Sequence, residues 1–343
     1  MPLAGTIGWV SNSDILPGPA DTGHGNPPDF DGLREWRQQI NDDAKPEDEP
    51  PEPEPTGPTI GERLREALHL QRDEALVMTE RRGLVPETII VLGVSLGVAA
   101  IRSILMLIEI MTRQKLSQTT VYMNNSVTPD RPWLDFTNQL LINVIVPLVP
   151  VVLAFYLLAS IRRPADGPAR VMGLTWSNVP RDLALGCALA AGVGLPGLGL
   201  YAVARALGIN VTIAAGNLAA NWWTIPMYVL LAAMNGVLEE VIMIGYLFTR
   251  WTQRGWQPWP VIIVSALIRG SYHLYQGFGG FIGNFIMGLV FGWLYTRTKR
   301  VLPLIIAHTL LDIISFVGYS LLAAHWAWLG APPVYVATQM VRP

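Results

Sequence analysis

Apolar residues along this chain gather into seven long stretches that are separated by short polar connections. About 20 predominantly apolar residues are needed to cross the hydrocarbon core of a bilayer, and each stretch approaches or exceeds that length. The pattern therefore predicts an all-α polytopic membrane protein with about seven transmembrane helices. The predicted spans are residues 86–111, 136–160, 183–206, 223–248, 258–275, 279–296 and 302–324.

The first 58 residues have a different pattern, rich in Pro, Gly and Asp. From Asp42 to Glu54 there are seven acidic residues and one lysine, with four interleaved prolines. Such a composition buries too little apolar surface to offset chain entropy, so we predict a disordered, acidic, Pro-rich tail. Thr59-Ile-Gly-Glu62 then has the form of a capping box. The predicted organisation is a tail at 1–58, a juxtamembrane amphipathic helix at 59–83, a transmembrane domain at 84–325 and a short tail at 326–343.

Composition and charge support a membrane protein with an acidic tail. The 343 residues are 51% apolar and only 15% charged, whereas soluble domains average about a quarter charged. Acidic residues exceed basic ones by nine before Gly83, and basic residues exceed acidic ones by seven in the rest of the chain. We expect the lipid bilayer as a partner and no nucleic acid.

The positions of Lys and Arg predict the orientation. Basic residues concentrate in cytoplasmic loops. They place the N-terminus in the cytoplasm and, with seven crossings, the C-terminus outside. The chain begins without a basic segment followed by an apolar run, so no cleaved signal peptide is expected. The basic residues that set this orientation are Arg81, Arg82, Arg162, Arg163, Arg170, Arg181, Arg250, Arg254, Arg297, Lys299 and Arg300.

Several ionisable residues lie inside the apolar stretches. Hydrocarbon tolerates such side chains poorly, so they indicate a functional site. Adjacent Glu239 and Glu240 diverge by about 100° on a helix, so one can face a cavity while the other holds a neighbouring helix. Spacings of four residues place two pairs each on one helix face. The pairs are Arg269 with His273 in the fifth stretch and His308 with Asp312 in the seventh.

Two kinds of hydrolytic chemistry suit this set of residues. A carboxylate in a dry site can take a proton from water, one histidine can orient that water, and another can donate a hydrogen bond to the developing oxyanion. Glu239, His273, His308 and Asp312 could instead bind a divalent zinc ion, because two histidines with carboxylates are an ordinary catalytic zinc set. No cofactor is certain, and the residues alone do not separate these mechanisms.

Three motifs in order resemble those of the CPBP family of intramembrane endopeptidases. They are Glu239-Glu240, Ser271-Tyr-His273-Leu-Tyr-Gln-Gly277 and His308-Thr-Leu-Leu-Asp312. The family includes the eukaryotic CAAX-processing protease and bacterial proteins grouped as Abi or bacteriocin self-immunity proteins. The resemblance covers a core at about 225–318. It implies an endopeptidase that acts on membrane-associated or lipidated substrates, in a cell membrane that we expect to be the bacterial plasma membrane.

The resemblance also implies roles for individual residues. Glu239 would be the general base that activates water, assisted by His273. His308 would contribute to the oxyanion site, and Asp312, where the family has Asn or Asp, would share that task. Glu240 would be a structural residue behind the site. Older descriptions of the family treat the same residues as metal ligands.

One position departs from the family pattern. The first motif usually ends with arginine four residues after the second glutamate, where this chain has Ile244. Glu240 then needs another partner, and we predict Arg269. The missing arginine also suits a non-catalytic immunity or scaffold relative. A proton-coupled or ion-coupled transporter would also line its helices with Glu, His and Asp, although no internal repeat is evident.

Straight helices with these boundaries leave one inconsistency. At about 1.5 Å per residue, His308 lies about 8 Å, Glu239 about 16 Å and His273 about 22 Å from the cytoplasmic side. Three residues of one site should lie at one depth. Either the fifth stretch is tilted or begins earlier, or the seventh begins within residues 296–302, and the sequence does not distinguish these alternatives.

Overall fold

The chain folds into apolar helices joined by short connections, and the computed structural model describes residues 78–160 and 167–322. The predicted tail at 1–58, nearly all of the helix at 59–83 and the tail at 326–343 lie outside these residues. Helical bounds are α1 Met78–Gly93, α2 Leu96–Arg113, α3 Pro132–Leu140, α4 Val146–Ser160, α5 Gly167–Val171, α6 Val179–Ala206, α7 Thr224–Glu240, α8 Leu247–Gln253, α9 Pro258–Ser271, α10 Phe278–Thr298 and α11 Leu302–Leu322.

The prediction of an all-α polytopic membrane protein is confirmed, but the count of about seven spans is not. Five helical segments among the described residues are long and apolar enough to cross a bilayer. A sixth is obtained if α1 and α2, which meet at a 55° bend, form one span. The orientation of the N-terminus stays a prediction. The five segments are Pro132–Ala159, Val179–Ala206, Thr224–Gln253, Phe278–Thr298 and Leu302–Leu322.

Two of these spans contain a π-helical turn in the middle. Leu141–Ile145 joins α3 to α4, and Val241–Tyr246 joins α7 to α8. The second turn directly follows Glu239 and Glu240. Single π-helical turns inside α-helices occur frequently at functional sites.

The predicted fifth span, 258–275, is wrong in its length. Helix α9 ends at Ser271 after 14 residues, a length of about 21 Å that is short of the hydrocarbon thickness. Residues 274–276 form a 3₁₀ turn, and the chain then reverses at Gly277 with φ of 99°. This backbone conformation favours glycine. The apolar pattern continues beyond Ser271, but the helix does not.

Helix α11 packs against both α7 and α6. The sequence analysis did not predict a two-stranded parallel sheet, in which β1 (Thr120–Tyr122) pairs with β2 (Thr212–Ala214) in the connections outside the helices. In α6, a Cβ atom at Gly186 would lie 2.5 Å from Ile306, and one at Gly194 would lie 2.8 Å from Leu311. Small residues thus allow the close approach of α6 to α11.

A buried ion pair connects α1 to α8. Glu87 Oε1 accepts hydrogen bonds from Arg250 Nε at 2.7 Å and from the Tyr246 hydroxyl at 2.7 Å. Arg250 Nη2 also donates to the Leu157 carbonyl of α4 at 2.6 Å. The Arg250 and Glu87 side chains are only 1% and 13% exposed. This contact therefore fixes the end of the span that carries the two glutamates.

We expect Glu87→Gln to lower the free energy of unfolding by about 3 kcal/mol, because it leaves the buried Arg250 without its counter-charge. Glu109→Gln is the matched control, since Glu109 pairs with Arg113 at 57% and 76% side-chain exposure. Loss of an exposed pair should cost less than about 1 kcal/mol. Equilibrium unfolding of both variants in mixed micelles measures the difference, and equal losses would contradict the role of the Glu87 pair.

Candidate active site

The buried carboxylate of Glu240 lies where three helices meet. Glu240 is the last residue of α7 and is 0% exposed. Its Oε1 accepts a hydrogen bond from Arg269 Nη2 of α9 at 2.7 Å, and His308 Nδ1 of α11 lies 2.7 Å from the same oxygen. The ion pair with Arg269 that the sequence analysis predicted is therefore present. One carboxylate oxygen holds α7, α9 and α11 together.

Glu239 occupies the neighbouring position with a more accessible side chain, 12% exposed. Its Oε2 accepts a hydrogen bond from the Tyr272 hydroxyl at 2.6 Å. Arg269 Nη1 lies 3.8 Å and His308 Nε2 3.9 Å from that oxygen, beyond direct hydrogen-bond distance. Glu239 therefore accepts one hydrogen bond, from Tyr272, and has the Arg269 guanidinium and the His308 imidazole as neighbours.

The hydrogen bonds of His308 define which ring nitrogen faces Glu239. A carboxylate accepts hydrogen bonds and cannot donate them, so the proton between His308 and Glu240 lies on Nδ1. The other nitrogen, Nε2, lies on the side of Glu239 Oε2. In the doubly protonated ring Nε2 donates a hydrogen bond, and in the neutral ring it accepts one.

His273 does not lie inside a helix, as the predicted span placed it, but directly after α9. Its Nδ1 is 3.0 Å from the carbonyl oxygen of Arg269. Since a carbonyl only accepts, Nδ1 carries the proton and Nε2 is an acceptor in the neutral ring. The His273 ring lies 4.7 Å from the ring of Tyr272, the residue that bonds Glu239. Tyr272 therefore contacts both His273 and Glu239.

Asp312 takes part in a second contact between α7 and α11. Asn235 Nδ2 donates a hydrogen bond to Asp312 Oδ2 at 2.9 Å. Asn235 lies four residues before Glu239 and Asp312 four residues after His308, so this contact is one helical turn from the first. The structure therefore brings all the predicted site residues to one region of the fold.

Comparison with known proteins supports this assignment of the region. A family model described as "Type II CAAX prenyl endopeptidase Rce1-like" matches residues 221–314. We refer to this segment as the Rce1-like domain. The match confirms the resemblance to the CPBP family of CAAX proteases. A search of the curated proteins gave no match, and neither did a search of the solved structures.

The Rce1-like domain extends from just before α7 to the middle of α11 and contains every predicted site residue. Its family consists of intramembrane endopeptidases of the CAAX type, which supports the same general activity here. The helices that carry it are apolar and include three of the candidate spans.

Ile244 occupies the position where the family motif has arginine, inside the Rce1-like domain. It is 1% exposed and lies in the π-helical turn after Glu240. The charge that Glu240 needs comes instead from Arg269 on a different helix. The Arg269 guanidinium also lies 5.6 Å from the centre of the Phe291 ring on α10, a cation–π contact.

The side chains of the Rce1-like domain do not fit a metal site in this arrangement. Among the described residues, no group of three or more His, Cys, Asp or Glu side chains has a geometry that could hold a metal ion. His308 Nδ1 is bonded to Glu240, and Glu239 Oε2 is bonded to Tyr272. Inhibition by a chelator tests the zinc mechanism.

Two contacts of the Rce1-like domain were missed from the sequence. Tyr272 is not among the predicted site residues, although it precedes His273 directly. Asn235 was given no role, although its spacing of four residues from Glu239 places both on one helix face. That spacing was the available signal. The partner on another helix was not visible, because the register between helices is a tertiary property.

Close packing at Gly236 holds the two contacts between α7 and α11 together. A Cβ atom there would lie 2.6 Å from Thr309 Oγ1 and 3.1 Å from the Ile305 carbonyl oxygen. We expect Gly236→Ala to separate α7 from α11 and to lower the free energy of unfolding by about 1–3 kcal/mol, the usual cost of overpacking. Gly192→Ala is the control, because a Cβ there would meet nothing within 4 Å. Thermal unfolding that shows equal stability of the two variants would contradict this packing.

Proposed function

We propose that this protein is an intramembrane endopeptidase that hydrolyses peptide bonds of membrane-associated or lipidated substrates, with Glu239 as the general base. The observation that carries the proposal is the environment of the Glu239 carboxylate. One of its oxygens is held by Tyr272 at 2.6 Å and lies 3.9 Å from His308 Nε2. Two titratable groups thus face each other with a separation that one water can bridge.

The first step is attack by water on the scissile carbonyl. His273 Nε2 accepts a hydrogen bond from the water, and Glu239 takes its other proton as the oxygen bonds to the carbonyl carbon. The hydrogen bond from His273 Nδ1 to the Arg269 carbonyl fixes the ring in the tautomer that this role needs. Both residues therefore act on the same water molecule.

The second step is collapse of the tetrahedral intermediate. His308 Nε2–H, in the doubly protonated ring, and the contact that includes Asp312 stabilise the negative oxygen. The C–N bond then breaks, and the leaving nitrogen receives the proton that Glu239 took from water. Products are a carboxylic acid and an amine, and Glu239 returns to its ionised form.

Glu240 and Arg269 serve this chemistry from behind the site. The Glu240 carboxylate keeps the proton of His308 on Nδ1 and so turns Nε2 towards Glu239. The Arg269 side chain neutralises the charge of Glu240. The backbone carbonyl of Arg269 accepts the hydrogen bond from His273 Nδ1 that fixes the orientation of the His273 ring. We further propose a bacterial plasma membrane, with the N-terminus in the cytoplasm, from the family resemblance and the basic loops.

The test is cleavage of membrane peptides by the purified protein in liposomes, with and without a chelator. Peptides with and without a prenylated C-terminal cysteine form the substrate set, and His273→Ala accompanies the wild type. We expect cleavage that His273→Ala reduces about a hundredfold, the usual contribution of one proton-handling group. Chelator inhibition with stoichiometric bound metal would favour the zinc mechanism. Ion flux without cleavage would favour a transporter, and neither activity would favour an immunity or scaffold relative.

A further inference from the structure

The contact between Asn235 and Asp312 contains one donor and it belongs to Asn235. An ionised aspartate accepts hydrogen bonds and donates none, whereas an asparagine amide has two N–H groups. One of them bonds Asp312 Oδ2 at 2.9 Å. Within the described residues, the amide nitrogen of Asn235 makes no second hydrogen bond. A free N–H group therefore remains on a partly buried amide.

The position of this amide relative to Glu239 suits a reacting carbonyl. Asn235 and Glu239 lie on one face of α7, about 6 Å apart along the helix. His308 and Asp312 have the same spacing on α11, which runs antiparallel to α7 through these contacts. A substrate carbonyl bound along this face would lie between Glu239 and the Asn235 amide.

We propose that Asn235 is a catalytic residue, whose amide N–H donates to the oxyanion, and that Asp312 positions this amide. The proposal rests on the proposed endopeptidase function. An oxyanion beside the Asp312 carboxylate alone would meet a like charge and no donor. The Asn235 amide supplies the missing donor. Asp312 accepts a hydrogen bond from one of its N–H groups, and the second N–H group therefore points away from Asp312 and is available to the oxyanion.

The first measurement is the effect of Asn235→Ala on cleavage of the peptide substrate in liposomes. We expect kcat to fall about a hundredfold with little change in KM, because the donor acts on the transition state and one oxyanion donor is worth about 10²–10³ in rate. Asn143→Ala is the control. Asn143 also donates from its amide nitrogen to a neighbouring side chain, Gln139 Oε1 at 2.7 Å, but lies outside the Rce1-like domain.

The second measurement repeats the same substitution in the Asp312→Asn protein. The new amide at 312 can donate to the oxyanion itself, so Asn235→Ala should then cost less than about fivefold relative to Asp312→Asn alone. Equal hundredfold losses in both backgrounds would show that Asn235 acts through packing and would overturn the proposal. So would a wild-type rate for Asn235→Ala. Absence of cleavage by the wild type itself would instead refute the proposed endopeptidase function, and this inference with it.

Discussion

Glu239→Gln should reduce peptide cleavage about a thousandfold, within the usual range for a general base, without unfolding the protein. Glutamine has nearly the shape of glutamate, and its carbonyl oxygen can still accept the hydrogen bond from the Tyr272 hydroxyl. It cannot take a proton from water. The variant therefore separates the chemistry of the carboxylate from its contacts.

The measurement is the initial rate of cleavage in liposomes at matched amounts of folded protein, with thermal unfolding to verify the fold. Glu109→Gln is a suitable control, because Glu109 is exposed on α2 and lies outside the Rce1-like domain. It should cleave at the wild-type rate. If Glu239→Gln retained more than about a tenth of the wild-type activity, Glu239 would not be the general base. Removal of a general base usually lowers the rate by more than about tenfold.

Removal of either partner of the Glu240–Arg269 pair should produce the largest loss of stability. Both side chains are 0% exposed, and their atoms approach to 2.7 Å. Arg269→Ala or Glu240→Ala leaves a buried charge without a counter-charge, which costs about 3–5 kcal/mol. The double variant should be little worse than either single variant, because no unpaired charge of this pair remains.

A double-mutant cycle on the free energy of unfolding measures this coupling. The exposed pair Asp130 and Arg131, at 65% and 66% side-chain exposure, supplies the control cycle. Its coupling should not exceed about 1 kcal/mol. Additive losses for Glu240 and Arg269 would mean that the two side chains stabilise the fold independently, and that the predicted partnership is wrong.

The pairing of Glu240 with Arg269 could be predicted because Glu240 has no basic partner one turn further along its own helix. Ile244 stands where an arginine would have met Glu240 within its own helix, so a buried charge had to be matched from elsewhere. Arg269 was the basic residue inside a neighbouring apolar stretch. The resemblance of three ordered motifs then supplied the remaining site residues, and the family match covers the same part of the chain.

The end of α9 could not be predicted from apolar character. Leu274 and Tyr275 continue the pattern beyond Ser271, but the chain there is held by tertiary contacts. The backbone N–H of Tyr275 donates to Ser103 Oγ of α2 at 2.7 Å, and Gly277 reverses the chain. His273 therefore lies in this turn and not in a continued helix. The same limitation concealed the contact between Asn235 and Asp312.

The central claim is that Glu239 and His273 act on one water molecule, and the rate of the Glu239→Gln/His273→Ala double variant tests it most directly. Groups that act as a unit are strongly non-additive. Once Glu239 cannot accept the proton, orientation of the water by His273 has little value. We predict that the double variant is as slow as Glu239→Gln alone, about a thousandfold below the wild type. A loss of about 10⁵-fold, the product of the two single effects, would contradict a shared water.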